Sequence, residues 1–475
     1  MSMQVHRIEF YRLDMQTRFP FRYGIASMSE VPHLFVRMHV EIDNRMWQGT
    51  SSEGLPPKWF TKNPETDFNS DDLPEMLTVI KQAADFAIMG RPHHSFFSWW
   101  MDLYEQQAAW ARKTKQAPLL ANLGVSLMER AVLDATCRQQ QTTLSTILRQ
   151  NRLSMELSAI RPDLEGLEVA NLLPTQPLSQ VELRHTIGLS DPLTDADIQP
   201  SDKIEDGLPH SLISNIKSYG LSHFKIKLSG DANADLARMR ALSALLTTHV
   251  GDRMRFTLDG NEQYESMACF QDHWQRLCSE TSIDQMVKRS LLFVEQPVHR
   301  DVALQEEVKQ TIQNWDDAPP IIIDESDAEL ESLPRALNLG YAGTSHKNCK
   351  GIIKSVAALG TIQHSQPKYG PLILSAEDLG NIGPIALLQD LAVVAALGIN
   401  HVERNGHHYF AGLKMFPSSI QDTTAKDHPD LYQQNPHGFV ALQPVDGKLQ
   451  LDSVNASPMG VSQAINLDHF EIWDL

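Results

Sequence analysis

The chain has 475 residues, of which 42% are apolar and 21% are charged, and its formal net charge is −18. This length corresponds to two or three domains, or to one large barrel with an appended domain, and the composition is that of an ordinary globular protein. The negative charge and the lack of Lys/Arg clusters exclude a phosphate-backbone partner, so no nucleic-acid binding is expected.

Targeting and membrane segments are not predicted either. The N-terminal sequence MSMQVHRIEFYRLD has no long apolar stretch and no small-residue cleavage site, so it is not a secretory signal. No run of about 18 uncharged apolar residues occurs, so no membrane association is expected. The four cysteines are isolated, which favours free thiols in a reducing cytoplasm over a zinc site or a disulfide framework; they are Cys137, Cys269, Cys278 and Cys349.

Residues 1–150 are predicted to form a domain that mixes strands and helices. The segments QVHRIEFYRLDM and HLFVRMHVEID alternate apolar and polar residues, which is typical of antiparallel strands. The segment FPFRYGIASM between them is predicted to be a loop. The periodicities of DLPEMLTVIKQAADFAIM and GVSLMERAVLDATCRQQ predict two helices.

Residues 151–455 show a different pattern, in which short apolar runs ending in polar residues alternate with segments of helical length. Eight such runs predict the strands of a parallel β/α barrel. They are VELRHTIGL, HFKIKLSG, MRFTLDGN, SLLFVEQP, PPIIIDES, YAGTSHKN, PLILSAED and INHVERN. Insertions are expected near residues 154–180 and as a surface loop over 414–455. Residues 456–475 are expected to return to the first domain.

Three carboxylates follow apolar runs on successive predicted strands, namely Asp259, Glu295 and Asp324. In a β/α barrel the carboxyl ends of the strands converge on one mouth, where these groups would repel one another. A hard divalent cation relieves that repulsion, and all-oxygen ligands suit Mg²⁺. Helix capping would explain one such residue, but three on adjacent strands favour a metal site.

Two lysines, Lys225 and Lys227, lie one residue apart in the second predicted strand. Side chains alternate along a strand, so both lysines point to the same face, which in a barrel is the mouth. A lysine beside a metal and a second ammonium is expected to have a lowered pKa, and it can then act as a general base. Two surface lysines at a strand end are the alternative interpretation.

The ordered series FKIKLSGD, FTLDGNEQY, FVEQPVHRD and IIIDESDA resembles the enolase superfamily, within the mandelate racemase/muconate lactonizing group and nearest its muconate-lactonizing and dipeptide-epimerizing branch. The resemblance covers nearly the whole chain. It implies an α+β capping domain and a modified (β/α)7β barrel of the TIM type. It also implies removal of a proton α to a carboxylate, with Mg²⁺ stabilising the enediolate. Asp259, Glu295 and Asp324 would then be the metal ligands, Lys227 the base, and Lys225 its electrostatic partner or a contact to the substrate carboxylate.

The sixth strand departs from the pattern of this branch, where an acid/base lysine precedes a Gly-Gly pair by five residues. Here the segment is TSHKNCKGII, and Lys350 replaces one glycine of the pair. Lys347 is the favoured strand-six group and His346 the alternative, while Lys350 is expected to begin the next helix. The seventh strand lacks a His and the sixth an Asp, so a His/Asp dyad is disfavoured.

Several further residues are candidates for contacts with the substrate. Arg22 and Tyr23 lie in the segment that resembles the specificity loop of the capping domain, and Asn261 follows a barrel strand. Glu377 or Asp378 would orient the base or bind substrate, and Glu403 would be an electrophilic or binding group. A helix cap or an ion pair is the alternative interpretation of each of these three acids. His407 and His408 are interpreted as loop residues, because adjacent side chains diverge.

These observations predict an Mg²⁺-dependent isomerase or lyase that acts on a small carboxylate, as a racemase or epimerase, a cycloisomerase or a dehydratase. Two lysines facing each other would permit racemization or epimerization, and one alone would suit elimination. The alternative function is a non-catalytic barrel, descended from such an enzyme, that binds a metal and a metabolite. By analogy with the family, the protein is expected to be a homo-oligomer.

Overall fold

The computed structural model describes residues 2–475. The chain begins with an antiparallel sheet of three consecutive strands, β1 Met3–Tyr23, β2 Ala26–Ile42 and β3 Arg45–Gly54. β1 and β2 form one long hairpin that continues to the pair Tyr23–Ala26. The segment FPFRYGIASM is therefore mostly strand, and the prediction of a loop there was wrong. Only Gly24 and Ile25 form the turn, and Gly24 has a φ of +49° that suits a residue without Cβ.

Helices α1 Leu73–Met89 and α3 Pro118–Gln139 pack against this sheet, and α2 Phe96–Thr114 packs against these two helices. The sequence analysis identified α1 and α3 but not α2 or β3. α3 lies very close to β3, because a Cβ on Gly49 would be 1.9 Å from the carbonyl oxygen of Ala131. Nearly every residue of α3 is buried, since the helix lies between the sheet and the barrel. Three short helices then lead to the barrel: α4 Leu144–Arg149, α5 Leu157–Ile160 and α6 Val169–Leu172.

The eight predicted barrel strands are all present, and they are parallel. They are β4 Gln180–Ile187, β5 His223–Lys227, β6 Arg255–Asp259, β7 Leu291–Glu295, β8 Ile321–Ile323, β9 Gly343–His346, β10 Ile373–Ala376 and β11 His401–Arg404. Consecutive strands from β4 to β10 are neighbours in the sheet, and β11 pairs with β4, whereas within residues 2–475 no ladder joins β10 to β11. Where β10 meets β11, the Arg404 guanidinium is paired with Asp378.

Helices follow the first seven barrel strands, which gives the (β/α)7β order that was predicted. They are α7 Leu212–Tyr219, α8 Ala232–His249, α9 Met267–Cys278, α10 Thr281–Ser290, α11 Arg300–Ala303, α12 Glu306–Gln313, α13 Ser332–Leu339, α14 Ile352–Tyr369 and α15 Ala386–Leu397. One apolar core runs through both domains, and α3 contributes to it along most of its length. Among residues 2–475, none of the helices is both long enough and apolar enough to cross a bilayer.

The last part of the chain is more ordered than the predicted surface loop. It contains α16 Gly406–Tyr409, α17 Ser418–Asp427, β12 Tyr432–Gln434, β13 Val440–Leu442, β14 Lys448–Gln450, α18 Asp452–Ala456 and β15 Glu471–Ile472. β14 pairs antiparallel with β4, and it buries Leu449 completely. β15 pairs with β1 through Tyr11 and Ile472, so the C-terminal residues lie on the first domain.

Candidate functional site

The carboxyl ends of the barrel strands meet beneath the tip of the β1–β2 hairpin, and the strand ends and the hairpin together line a small cavity. Charged groups from the barrel form its floor, and apolar groups from the hairpin and the loop after β3 form most of its opposite wall. Its lining residues are Phe21, Tyr23, Met28, Pro56, Trp59, Lys225, Lys227, Asp259, Asn261, Asp324, Lys347, Asp378, Leu379, Glu403 and Asn405.

The alternation of side chains along β5 places both of its lysines at this floor. The parallel ladder sets Lys225 beside Thr257 and Lys227 beside Asp259 of β6. Phe224 precedes Lys225, and Ile226 lies between the two lysines. Both apolar side chains are buried on the other face of the strand, in the apolar core. The strand therefore directs two ammonium groups inward, as its period of two requires.

The ammonium of Lys225 lies at the centre of a cluster of carboxylates. Its Nζ is 2.9 Å from Asp259 Oδ2 and 2.7 Å from Glu295 Oε2. It is also 3.0 Å from Glu377 Oε2 and 2.9 Å from Glu403 Oε2. One cation that is 1% exposed therefore contacts carboxylates from four different strand ends.

These contacts oppose the lowered lysine pKa that the sequence analysis expected. Burial lowers the pKa of Lys225, but the charges of Asp259, Glu295, Glu377 and Glu403 raise it, and the net pKa lies well above its usual value. Four anions close to one ammonium stabilise its charged form by more than desolvation destabilises it. In the protein alone, Lys225 is a fixed cation.

Lys227 has a simpler environment than Lys225. Its Nζ donates a hydrogen bond of 2.6 Å to Asp259 Oδ2, and it lines the cavity. The other oxygen of Asp259 accepts a hydrogen bond of 2.8 Å from the backbone N–H of Asn261. Despite the desolvation of Asp259, the charges of Lys225 and Lys227 hold its pKa below the usual value.

Asp324 is held by two lysines and a serine. Lys347 Nζ lies 2.5 Å from its Oδ2, and Lys350 Nζ lies 2.8 Å from its Oδ1. The Ser345 hydroxyl also donates to Oδ1, across 2.5 Å. Although burial raises the pKa of Asp324, the lysine charges overcome this effect and hold the pKa well below its usual value.

The side chains of Lys347 and His346 point in opposite directions, as neighbours on an extended chain must. Lys347 lines the cavity, and its ammonium lies 4.8 Å from the centre of the Trp59 ring. His346 instead contacts Ser355 of α14 at 2.6 Å through Nδ1, and Asn348 through Nε2. Burial lowers the pKa of His346 to about 3, so this side chain is a neutral structural group outside the cavity.

Lys350 is the site residue that the sequence analysis placed elsewhere. It lies in a 3₁₀ turn over Asn348–Lys350, ahead of α14, and its side chain is buried among Asp324 and Ser345. Gly351 follows with a φ of +103°, a conformation that favours glycine. Lys350 therefore does not begin the helix, because the turn directs its side chain back toward β8.

Arg184 is a second cation that the sequence analysis missed. It lies in β4 and is fully buried, with Nη2 2.6 Å from Glu377 Oε1. Thr186, on the same face of β4, donates a hydrogen bond of 2.6 Å to Glu403 Oε1. Arg184 lies in the predicted strand VELRHTIGL, and its place on the same face as Thr186 near the carboxyl end of that strand is the feature of the sequence that indicates an inward cation.

The cluster contains as many basic as acidic side chains. Its five carboxylates are Asp259, Glu295, Asp324, Glu377 and Glu403, and its five cations are Arg184, Lys225, Lys227, Lys347 and Lys350. Among residues 2–475, no three acidic, His or Cys side chains converge closely enough to hold a metal as they stand. The ammonium groups lie between the carboxylates.

The donor chemistry of the three predicted ligands nevertheless fits Mg²⁺. Asp259, Glu295 and Asp324 present only oxygen atoms from adjacent strand ends. Both carboxylate oxygens of Glu295 are buried without a hydrogen bond, with Lys225 as its nearest cation. Burial and the charges of Asp259 and Glu377 raise the pKa of Glu295 well above its usual value. Such a carboxylate is a ready ligand for a hard cation.

The predicted substrate contacts divide between two cavities. Tyr23, Asn261 and Glu403 line the cavity above the cluster. Arg22 is exposed and instead lines a separate cavity beside the loop that follows β4, because alternation along β1 turns it away from Tyr23. The Tyr23 hydroxyl is tied to the carbonyl of Pro57, across 2.8 Å.

The sequence analysis interpreted the adjacent His407 and His408 as loop residues, and this interpretation was wrong. They lie in the short helix α16, and both are buried. His407 Nε2 is 2.9 Å from Nδ1 of His185, and His408 Nε2 is 3.6 Å from Asp191 Oδ2. Desolvation lowers the pKa of His407 well below its usual value, so this group packs the barrel in its neutral form.

Comparison with known proteins yields relatives through structure alone. No protein-family model matches the chain, and no curated protein matches its sequence. Among solved structures, a mandelate racemase/muconate lactonizing protein from Herpetosiphon aurantiacus is 16% identical, with a TM-score of 0.57, over 95% of this chain and 96% of that one. The similarity extends over both domains.

Two similar structures carry magnesium and a ligand. One is an enolase from Bradyrhizobium, complexed with magnesium and mandelic acid, at 13% identity and a TM-score of 0.59 over 97% of this chain and 96% of that one. The other is a dipeptide epimerase from Enterococcus faecalis V583, complexed with Mg and the dipeptide L-Leu-L-Tyr. It is 15% identical, with a TM-score of 0.58, over 94% of this chain and 99% of that one. The chain therefore has the fold of these mandelate racemase/muconate lactonizing and dipeptide epimerase structures.

Proposed function

We propose that the protein removes the proton α to the carboxylate of a small substrate, with Lys227 and Lys347 as its two acid/base groups. The observation that carries the proposal is their placement around one cavity. Lys227 ends β5 and Lys347 follows β9, and these strands lie four positions apart in the order of the eight-stranded barrel. Strands so separated face each other, so the two amines approach a bound molecule from opposite sides.

This arrangement favours racemization or epimerization over elimination by a single base. In one direction the uncharged amine of Lys227 accepts the α-proton, and the ammonium of Lys347 donates a proton to the opposite face of the same carbon. Lys227 gains one proton and Lys347 loses one, and exchange with water restores both. The reverse direction exchanges the two roles.

Each of the two lysines is paired with one of the predicted metal ligands. Asp259 contacts Lys227 and Asp324 contacts Lys347, each within 2.6 Å. Asp259, Glu295 and Asp324 would hold Mg²⁺, which when bound supplies Lewis-acid stabilisation of the charge that develops on the substrate carboxylate. Burial lowers the pKa of Lys347, but the charges of Asp324 and Glu295 raise it above its usual value. Carboxylates that held a metal would attract the proton of Lys347 less strongly.

The cavity wall suggests the class of substrate. Phe21, Met28, Pro56, Trp59 and Leu379 form an apolar surface opposite the charged floor. Among the described residues 2–475, no arginine lines this cavity, and Arg22 faces another one. We therefore propose a carboxylate whose group on the α-carbon is small and apolar or aromatic, rather than one with a second acidic group.

The test is exchange of the α-proton with deuterated solvent. Each enantiomer of a set of α-substituted carboxylates with apolar, aromatic, acidic or amide side groups is incubated with the protein and Mg²⁺, and exchange is followed by NMR. Exchange is expected with both enantiomers of members of the apolar or aromatic class, and in Lys227→Ala it should disappear for one of the two enantiomers. Lack of exchange with the entire set would contradict the proposal.

A non-catalytic barrel that binds a metabolite remains the alternative, and the altered strand-six sequence was its motivation. The position of Lys347 at the cavity favours an enzyme instead. Ligand-induced thermal stabilisation without any proton exchange would favour the alternative.

A cytoplasmic location and a homo-oligomeric state are also part of the proposal. Light scattering tests the oligomeric state.

A further inference from the structure

The position of Lys225 has a consequence for metal binding. Its ammonium contacts Asp259 and Glu295, two of the three carboxylates that would hold Mg²⁺, at 2.9 and 2.7 Å. A metal ion and an ammonium cannot both lie between the same pair of oxygen atoms, because they would overlap and repel each other. Either the lysine or the metal holds these two carboxylates together.

We infer that Lys225 is a built-in cation that holds the carboxylate cluster together in the metal-free protein, and that Mg²⁺ binding displaces its ammonium from Asp259 and Glu295. The inference rests on the proposed function, because it takes Mg²⁺ as the metal of this site. Beyond that function, the inference states that the Lys225 ammonium and the metal replace each other at Asp259 and Glu295. These two carboxylates then have a cationic partner both with and without the metal.

The structure offers the displaced ammonium a second place to bind. Lys225 also contacts Glu377 at 3.0 Å and Glu403 at 2.9 Å, which lie on the side of β10 and β11. The lysine can therefore release two carboxylates and keep the other two, without entering an apolar environment. Its flexible four-carbon side chain allows such a shift.

The neighbouring lysine provides a matched comparison. Lys227 carries the same charge on the same strand, but its Nζ pairs with a single carboxylate, Asp259. Loss of either lysine removes one positive charge from the metal's surroundings. Only loss of Lys225 also vacates the centre of the cluster, so the two substitutions separate a specific competition from a general electrostatic effect.

The experiment measures binding of Mn²⁺, an oxygen-seeking substitute for Mg²⁺, from the disappearance of the free-ion EPR spectrum. Metal-free wild type is compared with Lys225→Met and Lys227→Met. Lys225→Met is expected to bind Mn²⁺ at least about tenfold more tightly than wild type, and Lys227→Met less than about threefold more tightly. Equal tightening in both variants, no tightening in Lys225→Met, or no binding in any of the proteins would overturn the inference.

A structure of the wild-type protein with Mg²⁺ bound keeps the inference testable if Lys225→Met does not fold. The Lys225 ammonium should then contact Glu377 and Glu403 and no longer Asp259 and Glu295. Persistence of all four contacts beside the bound ion would overturn the inference. Neither readout uses turnover, so a failure of proton exchange would count against the proposed function without deciding the role of Lys225.

Discussion

Lys350 Nζ lies 2.8 Å from Oδ1 of Asp324, and both side chains are buried. The same ammonium donates to the hydroxyl and to the carbonyl oxygen of Ser345. Lys350 replaces one glycine of the pair found in the branch that the sequence resembles. In this chain the replacement supplies a second lysine contact, beside that of Lys347, to one of the predicted metal ligands.

Lys350→Met should destabilise the fold substantially. The substitution leaves a buried oxygen of Asp324 with one fewer charged partner, and loss of one member of a buried ion pair costs about 3 kcal/mol. Urea unfolding measures the effect. Lys309→Met is the control, because Lys309 forms an exposed pair with Glu306 and should cost less than about 0.5 kcal/mol. Similar losses in the two variants would contradict the assigned role of Lys350.

Substitution of each lysine of the proposed mechanism should affect the proton exchange of a different enantiomer. Each amine faces one side of the substrate, and racemization needs both. Lys227→Ala and Lys347→Ala should therefore each lower the rate of racemization at least about a hundredfold. Each variant should still exchange the α-proton of the one enantiomer that faces its remaining lysine. NMR of separate enantiomers in deuterated solvent measures both quantities. Loss of exchange from both enantiomers in Lys227→Ala alone would instead indicate a single base.

The apolar wall should control affinity for the substrate, and Arg22 should not. Trp59 lines the cavity and lies over the Lys347 ammonium, so Trp59→Ala should lower kcat/KM at least about tenfold. Arg22 lines a different cavity, and Arg22→Ala should change kcat/KM less than about twofold. A large loss in Arg22→Ala would show that the hairpin rotates when substrate binds.

Glu129 should make stability depend on pH. It accepts hydrogen bonds from the backbone N–H groups of Ile352 and Ile353 at the start of α14. Its burial raises its pKa to about 7, although those hydrogen bonds and the charge of Arg130 oppose the shift. A carboxyl whose pKa is raised in the folded state binds protons more strongly there than in the unfolded chain. Its contribution to stability is therefore lost as the pH rises from the ordinary range of a glutamate toward 7.

Glu129→Gln tests this expectation, because glutamine resembles the protonated acid. The melting temperature of the variant relative to wild type should be higher at pH 8 than at pH 5. Differential scanning calorimetry at the two values measures the difference. A temperature difference that is the same at both values would show that Glu129 keeps an ordinary pKa.

The sequence determined the barrel and the identity of most charged groups in its mouth. An apolar run that ends in a polar residue has only one place for that residue in a parallel barrel, which is the end of the strand. Asp259, Glu295 and Asp324 therefore reached one region, as expected. The period of two in β5 likewise placed Lys225 and Lys227 on the inner face.

The tertiary structure decided which charges pair and which residues reach the substrate. Lys350 contacts Asp324 only because a 3₁₀ turn and the positive φ of Gly351 reverse the chain. Arg22 and Tyr23 lie on separate cavities only because the supposed loop is paired as a strand. The periodicity of the sequence predicts the face of its own strand or helix on which a side chain lies. Ion pairs form between elements distant in sequence, so their choice depends on the packing of the whole barrel.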